Sequence, residues 1–371
     1  MSVESGYGLR SERLRGSVPG KTRSLAVRAG ASVRAQLPKI LVAFLAACEP
    51  TSGGFVTLEA YPNRRFAATE WDTVLVVGSR SVEDTTLINS TFLRLWNDRL
   101  LVVDAGKLNI RVLDRSGRIR WIYDRQGRGP GEFRYTSAVS ITPAGHAWLL
   151  DAGNQKIIEF QRDGSVLRDL DLRHFPVTAS SFGFQGTRTV FTTQTPTTGI
   201  IVARGDSLDH AEVRAFPWPD SVDSGLNFRT SIAGSTSSET VVIAFYHGPG
   251  FIVLEGDSAN TYHYVEEIPF ARKGSPWIQR QAVDSARYGA VSARIVGDEV
   301  FFLFGGRPRR YAHPDGEPTL LVDVYGLDGA YRRSYLLPTS AHDMDTNDGT
   351  VFYILTLAEG AFPQILGLRP R

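Results

Sequence analysis

Residues 101–119, LVVDAGKLNIRVLDRSGRI, align without a gap on residues 148–166, WLLDAGNQKIIEFQRDGSV. Asp104-Ala105-Gly106 falls on Asp151-Ala152-Gly153, Ile110 on Ile157 and Gly117 on Gly164, a spacing of about 47 residues. A period of that length belongs to propeller blades rather than to helical solenoids. Each unit reads as an apolar strand, an Asp-Ala-Gly turn, an alternating strand and a Ser-Gly or Asp-Gly hairpin. Asp104 and Asp151 are expected to accept turn amide hydrogens.

Weaker copies continue the rhythm. IIVARGDS (200–207) matches FIVLEGDS (251–258), and LLVDVYGLDGAYRRSYLLP (320–338) turns at Asp328-Gly329. The last unit, 341–370, offers three strands, and WDTVLVVGS (71–79) stands without a partner ahead of the first full unit. Joining the two in one blade closes a ring and removes a long exposed edge. The fold predicted is all-β, a six-bladed propeller whose N-terminal strand completes the C-terminal blade; a seventh blade stays open at this point. SPWIQRQAVDSARYG (275–289) reads as a short helix inserted in the rhythm, and GGRPRRYAHPDGEP (305–318) as a long loop.

GRGPGEF (127–133), followed by AVSITPAGHAWLLDAGNQKIIEFQRDG (138–164), resembles the NHL-type repeat and its relatives among bacterial six-bladed propeller proteins. The motif covers about a quarter of the chain; the resemblance implies the propeller architecture throughout. Gly129 and Gly131 flanking Pro130 suit a backbone reversal, and Phe133 is placed to fill the gap between blades. No strand-to-helix unit follows the glycines, so dinucleotide binding is rejected.

LPKILVAFLAAC (37–48) ends in the only cysteine of 371 residues. Its eight apolar residues would rise only about 12 Å as a helix, too short to cross a membrane but suited to the core of a signal peptide. Leu45-Ala46-Ala47-Cys48 resembles the bacterial lipobox, which implies lipid attachment at Cys48. Glu49 after the cysteine points to the outer membrane. A buried thiol, an organelle transit peptide and a plain secretory signal compete with this reading. The domains expected are a leader over 1–47, a tether over 48–70 and the propeller over 71–371. Localisation follows as the cell envelope, on the periplasmic face of the outer membrane.

Charge divides unevenly. Residues 1–39 carry eight basic against two acidic side chains, which leaves the remainder at about −4. Binding to nucleic acid rests on neutralised phosphates, so this body is a poor candidate for it.

Chemistry-bearing motifs are sparse. The seven histidines are scattered over different units, with no H-E-x-x-H and no cysteine partner, and no zinc or other cofactor is expected. HDMDTND (342–348) gathers His342, Asp343, Asp345 and Asp348 at a place where other units carry a hairpin turn; a solvated turn is expected there rather than calcium. No Gly-x-Ser-x-Gly elbow is present. Arg307, Arg309, Arg310, Tyr311 and His313 fall on one loop that breaks the repeat, residue types favoured at interfaces. The function expected is a monomeric, lipid-tethered binding or scaffold subunit with an envelope protein partner. The alternative is a metal-dependent lactonase or lyase with its site in the central channel, as in enzymatic six-bladed relatives.

Overall fold

The computed structural model describes residues 63–371, apart from 79–86, 88–89, 105–106, 174, 176–177, 196–197, 205–207, 209–211, 217–229, 235–238, 247–249, 257, 266–288, 306–319 and 359–361. A three-residue strand, β1 (Phe66–Ala68), and a seven-residue strand, β2 (Trp71–Val77), come first. Six sheets then follow around a ring. Blade 1 holds β3 (Ser90–Trp96), β4 (Arg99–Asp104), β5 (Asn109–Asp114) and β6 (Ile119–Tyr123). Blade 2 holds β7 (Thr136–Ile141), β8 (Ala147–Asp151), β9 (Lys156–Phe160) and β10 (Val166–Asp171). Blade 3 is β11 (Ala179–Gln185), β12 (Arg188–Thr195), β13 (Thr198–Arg204) and β14 (Glu212–Phe216). Blade 4 is β15 (Thr230–Gly234), β16 (Thr240–Phe245), β17 (Gly250–Glu255) and β18 (Ser258–His263). Blade 5 is β19 (Ala290–Val296), β20 (Glu299–Phe304), β21 (Leu321–Gly326) and β22 (Tyr331–Leu336). Blade 6 is β23 (Asp343–Asp345), β24 (Phe352–Ala358) and β25 (Phe362–Pro370), with β2 as its outer strand.

Closure follows the sequence expectation: β2 runs antiparallel to β25, with Trp71 opposite Pro370 and Val77 opposite Ile365. The chain nevertheless docks before residue 71. Within the stretch expected as a tether, β1 adds a parallel fifth strand to blade 5, Phe66 opposite Ser334. Arg64 forks onto Asp323 just ahead of it. The N-terminal stretch thus straps two consecutive blades. The inserted segment 275–288 lies outside the described residues.

Middle strands are apolar on both faces because each is covered by a neighbouring blade. Residues 147–151 and 156–160 are buried throughout. In β20 the alternation sorts side chains between neighbours: Phe302 and Phe304 join Phe251 of blade 4, while Phe301 and Leu303 join Met344 and Phe352 of blade 6. Six such clusters fill the six spaces between blades. The one that closes the ring sets Val77, Tyr353, Leu355 and Ile365 of blade 6 against Leu93, Leu100 and Val102 of blade 1.

The repeated hairpin glycine has a packing reason as well as a conformational one. Gly164 adopts φ +90°, and a Cβ there would meet the Trp121 ring of blade 1 at 2.8 Å. Gly117 stands in the same relation to Val77 of blade 6, and Gly329 to Tyr262 of blade 4. Blades 1, 2 and 5 therefore each seat an outer-strand side chain of the preceding blade on their hairpin, whereas Gly256 of blade 4 has nothing within 4 Å of a built Cβ.

Candidate functional site: the channel cluster and the flank of blades 6, 1 and 2

The central channel is lined by the first strand of each blade. In β3, β7 and β11 a bulge leaves one extra residue, Thr91, Ser137 and Ser180 respectively. Each hydroxyl donates to a carbonyl of the second strand, at 3.5, 3.5 and 3.1 Å. A bulge leaves ladder groups unpaired, and a short hydroxyl side chain occupies them.

Further along the channel four charges meet. Asp343 Oδ2 accepts from the Leu93 amide at 2.8 Å and from Arg94 Nη1 at 2.6 Å, and its Oδ1 accepts from Ser292 Oγ at 2.6 Å. Asp345 Oδ2 accepts from the Leu95 amide at 2.8 Å. Arg294 Nε lies 2.8 Å from Asp345 Oδ1, an ion-pair distance without the alignment of a hydrogen bond. Arg94 Nε also donates to the Val139 carbonyl of blade 2 at 2.9 Å. The cluster thus ties blade 6 to blade 1 through the Leu93 and Leu95 amides, to blade 5 through Ser292 and Arg294, and onward from Arg94 to blade 2 through the Val139 carbonyl.

Its charges balance, two arginines against two aspartates. Burial alone would raise the Asp343 pKa; Arg94, Arg294, Ser292 and the Leu93 amide outweigh it and hold the carboxyl below the usual carboxylate range. Burial, with Arg294 close by, lowers the Arg94 pKa against the opposing pull of Asp343 and Asp345. The expectation of a solvated turn is corrected here. Asp343 and Asp345 form the buried inner strand β23, and only Asp348 sits in the hairpin, accepting from Thr350 N at 2.9 Å and Thr350 Oγ1 at 2.7 Å. Among the described residues no group of three or more His, Cys, Asp or Glu side chains is arranged to hold a metal.

The glycine-rich motif is wired into blade 2. Gly131 (φ +71°) donates its amide to Asp169 Oδ2 at 2.9 Å, and its carbonyl accepts from Tyr123 Oη at 2.6 Å. Lys156 Nζ reaches the Gly129 carbonyl at 2.9 Å and Asp169 Oδ2 at 2.7 Å, while Asn154 Nδ2 donates to the Gly127 carbonyl at 2.8 Å. The Asn-x-Lys of the repeat is the clamp on the turn that precedes it. Phe133 fills the space between blades 1 and 2, and Asp151 accepts from the Tyr135 and Gly153 amides at 3.0 Å each, as the sequence predicts. Asp104 likewise accepts from the Lys107 amide at 3.0 Å. Beside this turn lies a hollow of about 380 Å³ lined by Leu108, Gln126, Gly127, Phe133 and Arg134.

One surface feature escaped the reading from charge totals. Every exposed large hydrophobic side chain among the described residues belongs to blades 6, 1 and 2: Val74, Val76, Leu108, Ile119, Ile122, Tyr135 and Leu167. Residues 114–134 of the same flank carry six arginines against three acids, net +3, on a body that is otherwise acidic. Of the sites proposed from sequence, Cys48 and the loop bearing Arg307, Arg309, Arg310, Tyr311 and His313 lie outside the described residues.

Comparison with known proteins agrees with the architecture. The family DUF5128, described as a 6-bladed beta-propeller, matches residues 82–194. The human NHL repeat-containing protein 3 is 34% identical over 67 residues, 17% of this chain and 19% of that protein. The chain thus spans about a fifth of the length of that relative. A Bacteroides fragilis protein described as a candidate exported protein superposes with TM-score 0.56 at 12% identity, over 81% of this chain and 95% of that one. A member of the DUF4221 family from Bacteroides vulgatus gives TM-score 0.57 at 10% identity, over 82% and 99%. These likenesses show a six-bladed propeller fold, with a weak relation to NHL-repeat and DUF5128 proteins.

Proposed function

We propose that this protein is a lipid-tethered module of the bacterial envelope that works by binding, with an envelope protein as partner and the 305–318 loop as one point of contact. The observation that carries the reading is the channel cluster. Arg94, Arg294, Asp343 and Asp345 are engaged with one another and with backbone amides, which makes this part of the channel a structural fastening. Surface chemistry free for recognition lies on the outer flank and on connections between strands. Fold alone does not assign function. The likeness to a candidate exported protein and the run from Ile40 to Cys48 both favour an extracytoplasmic place for it.

Two experiments test the reading. Palmitate labelling of the full chain is expected to vanish in Cys48→Ser, with the protein released from the membrane; labelling that persists overturns the tether. Crosslinking in native membranes is expected to recover a partner, and replacing Arg307, Arg309 and Arg310 by Ala to weaken its capture about fivefold with the fold intact. Equal capture overturns the role of the loop. The competing reading is a metal-dependent lactonase or lyase acting in the channel, and metal-dependent turnover of a lactone by the purified protein would replace the binding reading.

A further inference from the structure

We propose that the outer flank of blade 1, with the adjoining edges of blades 6 and 2, lies against the anionic surface of a phospholipid bilayer. The inference does not depend on lipid attachment at Cys48, because it concerns the propeller body itself. Its first ground is composition in place. The outer strand β6 and its two turns read Arg115-Ser-Gly-Arg118-Ile119-Arg120-Trp121-Ile122-Tyr123-Asp124-Arg125. Arg118, Ile119, Arg120, Ile122 and Arg125 are all exposed, with Ile122 at 49%.

The second ground is continuity. Val77 of β2 packs over Gly117, and Trp121 of β6 packs over Gly164, so the outer edges of blades 6, 1 and 2 adjoin. Val74 and Leu167, the extra residues of bulges in β2 and β10, extend the apolar strip on either side of blade 1. A bulge on an edge strand guards it against pairing with another sheet. That leaves the side chains, rather than the strand edge, as the contact surface. On blade 4 the matching outer strand reads SANTYH and exposes none of the large hydrophobics.

The third ground is charge. Arg118 and Arg125 pair with no carboxylate among the described residues, and the half-exposed Arg120 lies 3.8 Å from a less exposed Asp114. Arginines interleaved with isoleucine suit a headgroup layer: the guanidinium groups meet phosphates while the aliphatic side chains enter the acyl boundary. A protein partner of acidic character would satisfy the arginines but would set Ile119 and Ile122 against charge, whereas a headgroup layer over acyl chains meets both.

The natural chain has one cysteine, so a single reporter can be placed at will. In a Cys48→Ser background of the full chain, an environment-sensitive dye is attached at Ile122→Cys or, as a control, at exposed Ala259→Cys on blade 4. Vesicles containing phosphatidylglycerol are expected to shift the emission of the dye at 122 to the blue and leave that at 259 unchanged. Vesicles of phosphatidylcholine alone are expected to leave both positions unchanged. Arg118→Ser/Arg120→Ser/Arg125→Ser is expected to weaken the response at 122 by about fivefold per arginine, on the order of a hundredfold together, and added salt to weaken it further. The absence of a blue shift at 122, an equal shift at both positions, or equal shifts with both lipids overturns the proposal. So does a shift that grows with protein concentration without vesicles, which would mark contact between two copies of the chain.

Discussion

Arg64 and Asp323, 259 residues apart, form a buried fork in which Arg64 Nε and Nη2 donate to the two carboxylate oxygens at 2.9 and 2.8 Å. The Asp323 side chain is fully buried and also accepts from Ser334 Oγ at 2.6 Å. The guanidinium lies 4.8 Å from the centre of the Phe304 ring. The pair fixes the entering chain to the third strand of blade 5. Removing one partner strands the other as a buried charge. Arg64→Ala is therefore expected to cost about 3–5 kcal/mol, measured as a shift in the urea midpoint. Arg64→Met with Asp323→Leu should recover most of that loss. A loss under about 1 kcal/mol in the single variant would mean the fork does not hold the strap.

Asp343 gives the acid limb of stability a defined sign. Its folded pKa lies below the unfolded value, so its contribution is complete above the ordinary carboxylate range. That contribution is lost as pH falls through the folded value. In Asp343→Asn the deficit relative to the natural protein is expected to be constant from about pH 5 upward and to shrink below about pH 4. Urea titrations at stepped pH measure it. A deficit that grows on acidification would contradict the assignment.

Two glycines separate conformational strain from crowding. Gly145 has φ +81° with nothing within 4 Å of a built Cβ, whereas Gly164 has φ +90° with the Trp121 ring at 2.8 Å. Both alanine variants carry the left-handed penalty of about 1–2 kcal/mol. Only Gly164→Ala must also displace Trp121, adding about 1–3 kcal/mol. Thermal melts of the two variants should differ by that increment. Equal melts would show that the hairpin does not seat the neighbouring blade.

Removal of residues 64–77 tests closure. It takes away β1 and β2, exposes the edge of β25 and strips Val77 from the cluster between blades 6 and 1. Cooperative unfolding is expected to be lost, and amide exchange to rise first in β24 and β25. Unchanged protection of those strands would mean that blade 6 stands without its outer strand.

The sequence carries the ring more clearly than its fastenings. The aligned Asp-Ala-Gly turns and hairpin glycines are local patterns: the aspartates hold their own turns, and the glycines of blades 1, 2 and 5 seat the blade before. β1 was hidden because three residues, Phe66 to Ala68, are too few to show alternation, and its pairing is with a strand far along the chain. Asp343 and Asp345 sit among turn-forming residues, and their partners Leu93 and Leu95 lie 250 residues away. No spacing rule connects such positions. The arginines of blade 1 were visible as letters but cancelled in the total charge; it took the outer position of β6 to set them beside Ile119 and Ile122.

The strap across blades 5 and 6 also orders events in time. Asp72 and Arg371, joined by a side-chain hydrogen bond at 2.6 Å, stand 299 positions apart. During synthesis the first strands therefore leave the ribosome with no sheet to join, and blade 6 cannot assemble until β25 has emerged. Loop closure over such a separation makes the final step slow and dependent on everything before it. The ring thus stays unlatched until β25 has been made, a schedule that keeps the strands before it threadable until then.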